Sequence, residues 1–252
     1  MRRANKLDIL IPVYNEGENI IETFRSFKGR IQTPFRVLIC YDYDGDSTLP
    51  AVEKTRKDFD FEILLVKNRG VGVHGAIVTG FEESSAPAVL MFPADEAYNT
   101  HIIDPMYREF EKGSDVVVAS RFMRGGRMEG GPFIKSLIVR IASFVLQWFV
   151  GLPASDATYG LRMFSRRLLD TVTIESTAGF TYAVELLVKC HRLRWKISEV
   201  PAYWYRRAKG ESRFNLKKWL PHYARWFFYA LATTYLRKSP KTVALKPGIM
   251  LP

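Results

Sequence analysis

The stretch Leu7-Asp8-Ile9-Leu10-Ile11-Pro12-Val13-Tyr14-Asn15-Glu16-Gly17-Glu18-Asn19 decides how this chain folds. A short apolar run ends at a proline, passes into a turn dense with polar groups, and gives way to helical spacing over 17–28. That order reads as a buried strand followed by a covering helix. The pattern recurs downstream. Strands are expected near 7–13, 36–41, 61–66, 87–92 and 115–119, and helices over 17–28, 48–58, 73–83 and 100–112, the last opened by Asn99 or Thr100. Strands and helices alternating through short connections predict an α/β fold, a mostly parallel, Rossmann-like central sheet flanked by helices. Arg2, Arg3 and Lys6 stand where the charged start of a leader peptide would, but Asp8 and Pro12 break the apolar run, so it reads as a first strand.

The chain has 252 residues, of which 47% are apolar, 13% aromatic and 25% charged. This excludes disorder, collagen-like repeats and a disulfide-stapled miniprotein, and it suffices for one large core with an appendage. Cys40 and Cys190 each lie among apolar residues, as buried thiols on the cytosolic side would. The net charge of +11 is unevenly spread. Residues 1–120 hold 14 Lys and Arg against 19 Asp and Glu, net −5, whereas 121–252 hold 23 against 7, net +16. The second half is therefore expected to face something anionic: nucleic acid, a phosphate-rich substrate or an acidic membrane.

Two stretches of that half are unusual. Over 133–150 the polar residues Ser136, Arg140, Ser143 and Gln147 form one narrow stripe on an otherwise apolar helix. With Lys135 and Arg140 inside it and only 18 residues, it falls short of a bilayer span, which leaves an interfacial or a buried core helix. Over 216–238, Trp219, Tyr223, Trp226, Phe227, Phe228, Tyr229 and Tyr235 are bracketed by Lys217, Lys218, Arg225, Arg237 and Lys238. Rings with cationic flanks suit a membrane headgroup region, and core packing or a dimer interface is the plainer alternative. Stacking on single-stranded nucleic acid fits poorly, because the rings follow one helix face.

The second strand ends in Tyr41-Asp42-Tyr43-Asp44-Gly45-Asp46-Ser47-Thr48 and the fourth in Phe92-Pro93-Ala94-Asp95-Glu96. Together with the turn after the first strand, these would bring three acidic strand ends to one crevice at the carboxyl edge of the sheet, where open α/β folds bind ligands. Each turn taken singly could equally be a solvated helix cap.

Residues 7–215 resemble the family 2 glycosyltransferases of the GT-A fold, and in particular the dolichol-phosphate mannose synthase and polyprenyl-phosphate glycosyltransferase branch. The resemblance rests on Ile11-Pro12-Val13-Tyr14-Asn15-Glu16, on Gly75-Ala76-Ile77 with Gly80, on Ala119-Ser120-Arg121, on Asp156-Ala157-Thr158-Tyr159-Gly160-Leu161-Arg162, and on Glu199-Val200-Pro201 followed by Arg207 and Gly210-Glu211-Ser212-Arg213. It implies a GT-A domain over 1–215, and the aromatic and basic residues beyond it read as an amphipathic, membrane-proximal helix and tail over 216–252. It further implies that Pro12, Tyr14, Glu16 and Asp42 hold the base and ribose of a nucleotide sugar, with the Cys40 backbone beside them. Pro93, Ala94 and Asp95 would follow along the donor, and Arg121, Arg207 and Arg213 would face its phosphates. Asp95 would be the surviving acid of an Asp-x-Asp motif and would reach a divalent cation, Mg²⁺ or Mn²⁺. Pro93 replaces the first acid of that motif, so the cation needs either Glu96 as a second oxygen or mainly phosphate and water.

The implied reaction is transfer of a hexose, with inversion, from a GDP- or UDP-sugar to a polyprenyl phosphate, by an enzyme resting on the cytoplasmic face of an anionic membrane. A lipid phosphate is already ionised and needs no base. A hydroxyl acceptor would need one, for which Asp156 is the first candidate and Glu185 the second, although Asp156 could equally cap a turn. Gly70-Val71-Gly72-Val73-His74-Gly75 also matches a dinucleotide-binding G-x-G-x-x-G, with Asp95 twenty residues on, which leaves an NAD(P)-dependent oxidoreductase as a competing class. That match follows the third strand rather than the first, and Lys67-Asn68-Arg69 separates it from the strand. His74 reads as structural or phosphate-proximal. A sugar-nucleotide-binding membrane protein with a decayed metal motif is a third class, and oligomeric state is not legible.

Overall fold

The computed structural model describes residues 5–205, 216–236 and 239–250. Five strands and their covering helices follow the expected order: β1 (Leu7–Pro12), α1 (Asn19–Phe27), β2 (Phe35–Tyr41), α2 (Thr48–Thr55), β3 (Glu62–Lys67), α3 (Gly72–Glu83), β4 (Ala88–Met91), α4 (Ile103–Glu111) and β5 (Val116–Ser120). The fourth helix is approached through a 3₁₀ turn over Ala97–Ile102, so the single helix expected over 100–112 is two elements.

β6 (Arg127–Glu129), α5 (Phe133–Val150), β7 (Arg162–Ser165), α6 (Arg166–Thr171), α7 (Thr181–Arg192), β8 (Ile197–Pro201), β9 (Tyr203–Tyr205) and α8 (Leu216–Tyr235) complete the chain. The main sheet runs β3-β2-β1-β4-β7-β5-β8. β7 lies antiparallel to both neighbours, and every other pairing in that sheet is parallel. β6 and β9 form a separate two-stranded parallel ladder.

β1 is an interior strand between β2 and β4, and its side chains are buried on both faces, as a strand covered on two sides requires. On one face Ile9, Ile11, Val37 and Ile39 pack under Ile20, Phe24 and Phe27 of α1. On the other, Leu10, Leu38 and Cys40 meet Ala76, Ile77 and Phe81 of α3. Gly80 permits that approach, since a Cβ there would lie 2.2 Å from Leu10 Cδ1. The buried charge of Asp8 is satisfied at the opposite end from the acidic turns. It accepts two bonds from Arg36, at 2.6 and 3.0 Å, and the N–H groups of Ser85 and Ala86.

α5 is oriented against the ordinary amphipathic rule. Of the polar stripe, Ser143 is buried and accepts the Ala157 N–H, Ser136 and Gln147 are half-buried, and Arg140, though exposed, stacks on Phe122 with its guanidinium carbon 4.6 Å from the ring centre. The apolar residues Phe133, Ile134, Leu137, Ile141, Phe144 and Trp148 point outward, Phe133 79% exposed and Trp148 71%. Thus α5 buries a narrow face, with Leu146 and Val150 in the core, and exposes a broad apolar one. α8 packs on α5 and α7, burying Trp226, Ala230 and Thr233 while exposing Phe228, Tyr235 and Leu236. Among the described residues no helix is long and apolar enough to cross a membrane.

Candidate active site

The parallel strands β1, β2, β3 and β4 all end on one rim, and the acidic turns gather there. After β1 the chain turns through Asn15 at φ 54° and Gly17 at φ 55°. The Asn15 N–H donates to Asp46, the Glu16 N–H donates to Thr48, and the Asn15 side-chain carbonyl accepts from Tyr43 and from the Ser47 N–H. These bonds clamp the turn after β1 to the turn after β2, with the Tyr14 and Tyr43 rings 5.8 Å apart.

The three acids after β2 have separate fates. Asp46 is buried and ties backbone, also accepting the Thr48 N–H at 2.8 Å; Asp44 pairs at the surface with Lys67. Asp42 is half-buried, and its Oδ1 accepts from the Asn68 amide. Tyr14 is exposed, Pro12 and Glu16 partly so, and Cys40 is buried in the core, where only its backbone reaches the rim by accepting the Val13 N–H. Burial pushes the Cys40 thiol well up.

Beyond β4, Pro93 and Asp95 are half-buried and Ala94 is buried; the Ala94 carbonyl accepts from Thr23. Glu96 turns inward and is only 5% exposed. Its Oε2 accepts from the Tyr159 hydroxyl and from the Asn99 amide. Burial pushes its pKa up to about 8, with the Tyr159 bond pulling the other way. Glu96 is thus engaged through Oε2 in an interior network, with the Asp95 charge near enough to raise its pKa further. Asn99 extends that network to both the N–H and the carbonyl of Tyr203, tying the segment after β4 to β9.

Arg121 follows β5. Its Nε and Nη2 form a fork on Asp156 at 2.7 and 3.0 Å, Nη2 also donates to Thr158, and its guanidinium carbon lies 4.6 Å from the centre of the Tyr159 ring. Asp156 is fully buried and also accepts the N–H groups of Arg121, Thr158 and Tyr159. Burial works against the Asp156 charge, but the Arg121 guanidinium overrides it and holds the carboxyl below its usual range. A carboxylate so enclosed is an anchor, which corrects the expectation of a general base. Arg162, also buried, donates to the carbonyls of Asp156 and Ala183 and so fixes the Asp156 segment between β7 and α7.

Glu185, the second candidate base, is equally enclosed. It pairs with Lys189 at 2.7 Å and accepts the N–H groups of Glu175 and Ser176. His74 is structural in the same layer, meeting Ser176 at 3.0 Å. Arg207 and Arg213 lie outside the described residues. The structure therefore brings Pro12, Tyr14, Glu16, Asp42, Asp95 and Arg121 to the strand ends and sets Asp156, Glu96 and Glu185 behind them. Sequence reading gave Asn99 only as a helix start and Asn68 only as part of the spacer after the third strand. Only the position of Asn68 directly after a strand could have flagged it.

Among the described residues no three His, Cys, Asp or Glu side chains gather as a metal site. Asp95 alone fits a cation whose other ligands are phosphate and water oxygens, a coordination Mg²⁺ commonly accepts.

The glycosyl transferase family 2 model matches residues 8–173. A dolichol-phosphate mannosyltransferase of Pyrococcus furiosus is 26% identical over 217 residues, 84% of this chain and 60% of the relative. An undecaprenyl-phosphate mannosyltransferase of Micrococcus luteus is 26% identical over 212 residues, 82% of this chain and 86% of the relative. The chain thus spans only about three fifths of the Pyrococcus protein's length. Among solved structures, glucosyl-3-phosphoglycerate synthase from Mycobacterium tuberculosis, in complex with Mn²⁺, UDP and glucosyl-3-phosphoglycerate, superposes with a TM-score of 0.63 at 14% identity, covering 98% of this chain and 84% of that one. The likeness shows a shared GT-A fold.

Proposed function

This chain belongs to glycosyl transferase family 2, and from that membership we propose that it transfers a hexosyl group, with inversion, from a nucleotide sugar to a polyprenyl phosphate at the cytoplasmic face of an anionic membrane. The observation that carries the acceptor class is the state of the interior carboxylates. Asp156 and Glu185 are both fully buried and occupied by cations and backbone N–H groups, so neither can take a proton from an attacking hydroxyl. A phosphate oxygen is already ionised near neutral pH and attacks without a base. The names of the Pyrococcus and Micrococcus relatives support the same acceptor.

In this reading the turns after β1 and β2 hold the nucleoside through Pro12, Tyr14, Glu16, the Cys40 backbone and Asp42, and Pro93 and Ala94 continue the floor. Asp95 holds the divalent cation, Mg²⁺ or Mn²⁺, which neutralises the diphosphate when bound. Arg121 would face the phosphates, its guanidinium held in a buried fork on Asp156, so that the positive charge is preorganised before charge develops on the leaving group. Arg207 and Arg213, which lie outside the described residues, would add positive charge toward the phosphates by the family resemblance.

Membrane association is supported by the outward apolar face of α5, by the exposed Phe228 of α8 and Leu236 just past its end, and by the +16 charge of 121–252. The G-x-G-x-x-G match falls away as a cofactor motif, since the family accounts for residues 8–173 as a glycosyltransferase. A transfer assay with GDP-mannose and UDP-glucose as donors tests the proposal. Sugar should move to undecaprenyl or dolichyl phosphate and not to the corresponding free alcohol; transfer to the alcohol at a comparable rate overturns it.

A further inference from the structure

The glycine motif after β3 remains without a role in the proposed reaction, and the structure gives it one. We propose that Asn68, held by the close contact of Gly70 with Gly75, is the positioning residue that sets Asp42 for the donor nucleoside. The inference rests on the reading that Asp42 contacts that nucleoside.

Asn68 directly follows β3, and its N–H donates to the carbonyl of Tyr41, the last residue of β2, at 2.8 Å, carrying the ladder one step past β3. Its side chain is then fully specified. Oδ1 accepts the Gly70 N–H at 2.7 Å, a partner that can only donate. Nδ2 faces the Gly72 carbonyl at 3.2 Å and Oδ1 of Asp42, partners that only accept. No other side chain of this size presents an acceptor and two donors in that arrangement. A carboxylate would put like charge against Asp42, and an alanine would leave the Gly70 N–H and Asp42 without the amide. With Oδ1 held by Asn68, Asp42 is fixed at the rim and Oδ2 is the oxygen left for the ligand.

The glycines serve this turn. A Cβ on Gly75 would lie 2.8 Å from Asn68 Oδ1 and 2.9 Å from both Cα and C of Gly70, closer than such atoms approach. The Gly70–Gly75 contact thus closes the turn around the amide, which explains a dinucleotide-like spacing with no pyrophosphate to cradle. Thr79 completes the enclosure, its hydroxyl accepting the Arg69 N–H at 3.1 Å.

The test is a double-mutant cycle read by calorimetric titration of the full chain with UDP and with GDP, Mn²⁺ present, and thermal midpoints recorded alongside. Asp42→Asn should weaken binding of whichever nucleotide the native protein takes. Asn68→Asp and Asn68→Ala should each weaken it roughly tenfold or more, the scale of a lost hydrogen bond to a charged group. In the Asp42→Asn background the Asn68 substitutions should cost little further affinity, which a merely structural role would not produce. Gly75→Ala, in a helix where alanine ordinarily stabilises, should lower affinity instead. If Asp42→Asn matters and both Asn68 variants bind as the native protein does, or if the two residues act additively, the positioning role is overturned. If Asp42→Asn is without effect, or neither nucleotide binds, the donor reading fails and this inference with it.

Discussion

At the scale of single residues, burial divides carboxylates that sequence alone leaves equivalent. Asp95 is half-buried at the rim, whereas Asp156 is enclosed and forked by Arg121. Removing one partner of a buried ion pair strands the other charge, at a cost of about 3–5 kcal/mol. Asp156→Asn is accordingly expected to lower the free energy of urea unfolding by an amount of that order, with activity falling as a consequence. Asp95→Asn should leave the unfolding midpoint close to native and reduce sugar transfer by at least tenfold. The opposite pattern, a stable and inactive Asp156→Asn, would restore Asp156 as a base. The motif Asp156–Arg162 and Arg121 were each singled out in the sequence, but their pairing was not legible: the residues of an Arg–Asp fork 35 positions apart meet only once β5 and β7 are neighbours. Asp42, Asp44 and Asp46 show the same limit. The two-residue spacing predicts a shared crevice, and the fold gives one to the rim, one to a surface lysine and one to buried backbone.

Elements with a clear period could be read in advance, and those without one could not. β1 to β5 and the helices between them carry apolar runs or helical spacing long enough to assign, and their order already implies a parallel sheet. β7 is four residues, all buried, inserted antiparallel between β4 and β5; such a run has no alternation to betray its direction. β6 and β9 are three residues each and exist by pairing with one another. α5 was ambiguous because period fixes which residues share a face without fixing which way the face points. Its outward apolar face yields a prediction at this scale. Ile141→Asp with Trp148→Asp places charge on side chains 53% and 71% exposed, so thermal stability should shift little. Flotation with liposomes containing anionic lipid should fall severalfold, since each buried aromatic or aliphatic side chain contributes about 1.5–3 kcal/mol. A variant that floats as the native chain does would place the membrane contact elsewhere.

For the whole molecule, two layers of different chemistry share one sheet. The face under α1 and α4 is an aromatic-rich core with few ionisable groups, while the α3–α7–α8 side encloses Glu185, Lys189, His74 and His191. Both histidines join separate elements. His74 meets Ser176 across from α3, and His191 on α7 donates to the Val150 carbonyl at the end of α5. Burial lowers the pKa of each below the usual 6.5; Glu185 opposes the shift at His74, and the Val150 bond opposes it at His191. The sign follows from counting protons. Below about pH 6.5 the unfolded chain protonates both rings while the folded chain keeps them neutral, so the unfolded state binds more protons and stability falls with falling pH. The contribution is fully present above that point and is lost as pH drops toward the lowered folded values. The histidine contribution to the urea midpoint thus declines between pH 7 and pH 5, against the opposite contribution of Glu96, whose pKa burial raises to about 8 and which is protonated in the folded chain and ionised in the unfolded one over most of that interval. The double variant His74→Gln, His191→Gln, which keeps a side-chain donor at each position, should show a shallower decline over the same interval even if its midpoint at pH 7 is lower. An equal slope in the variant would assign the acid sensitivity to other groups and leave the histidines as packing alone.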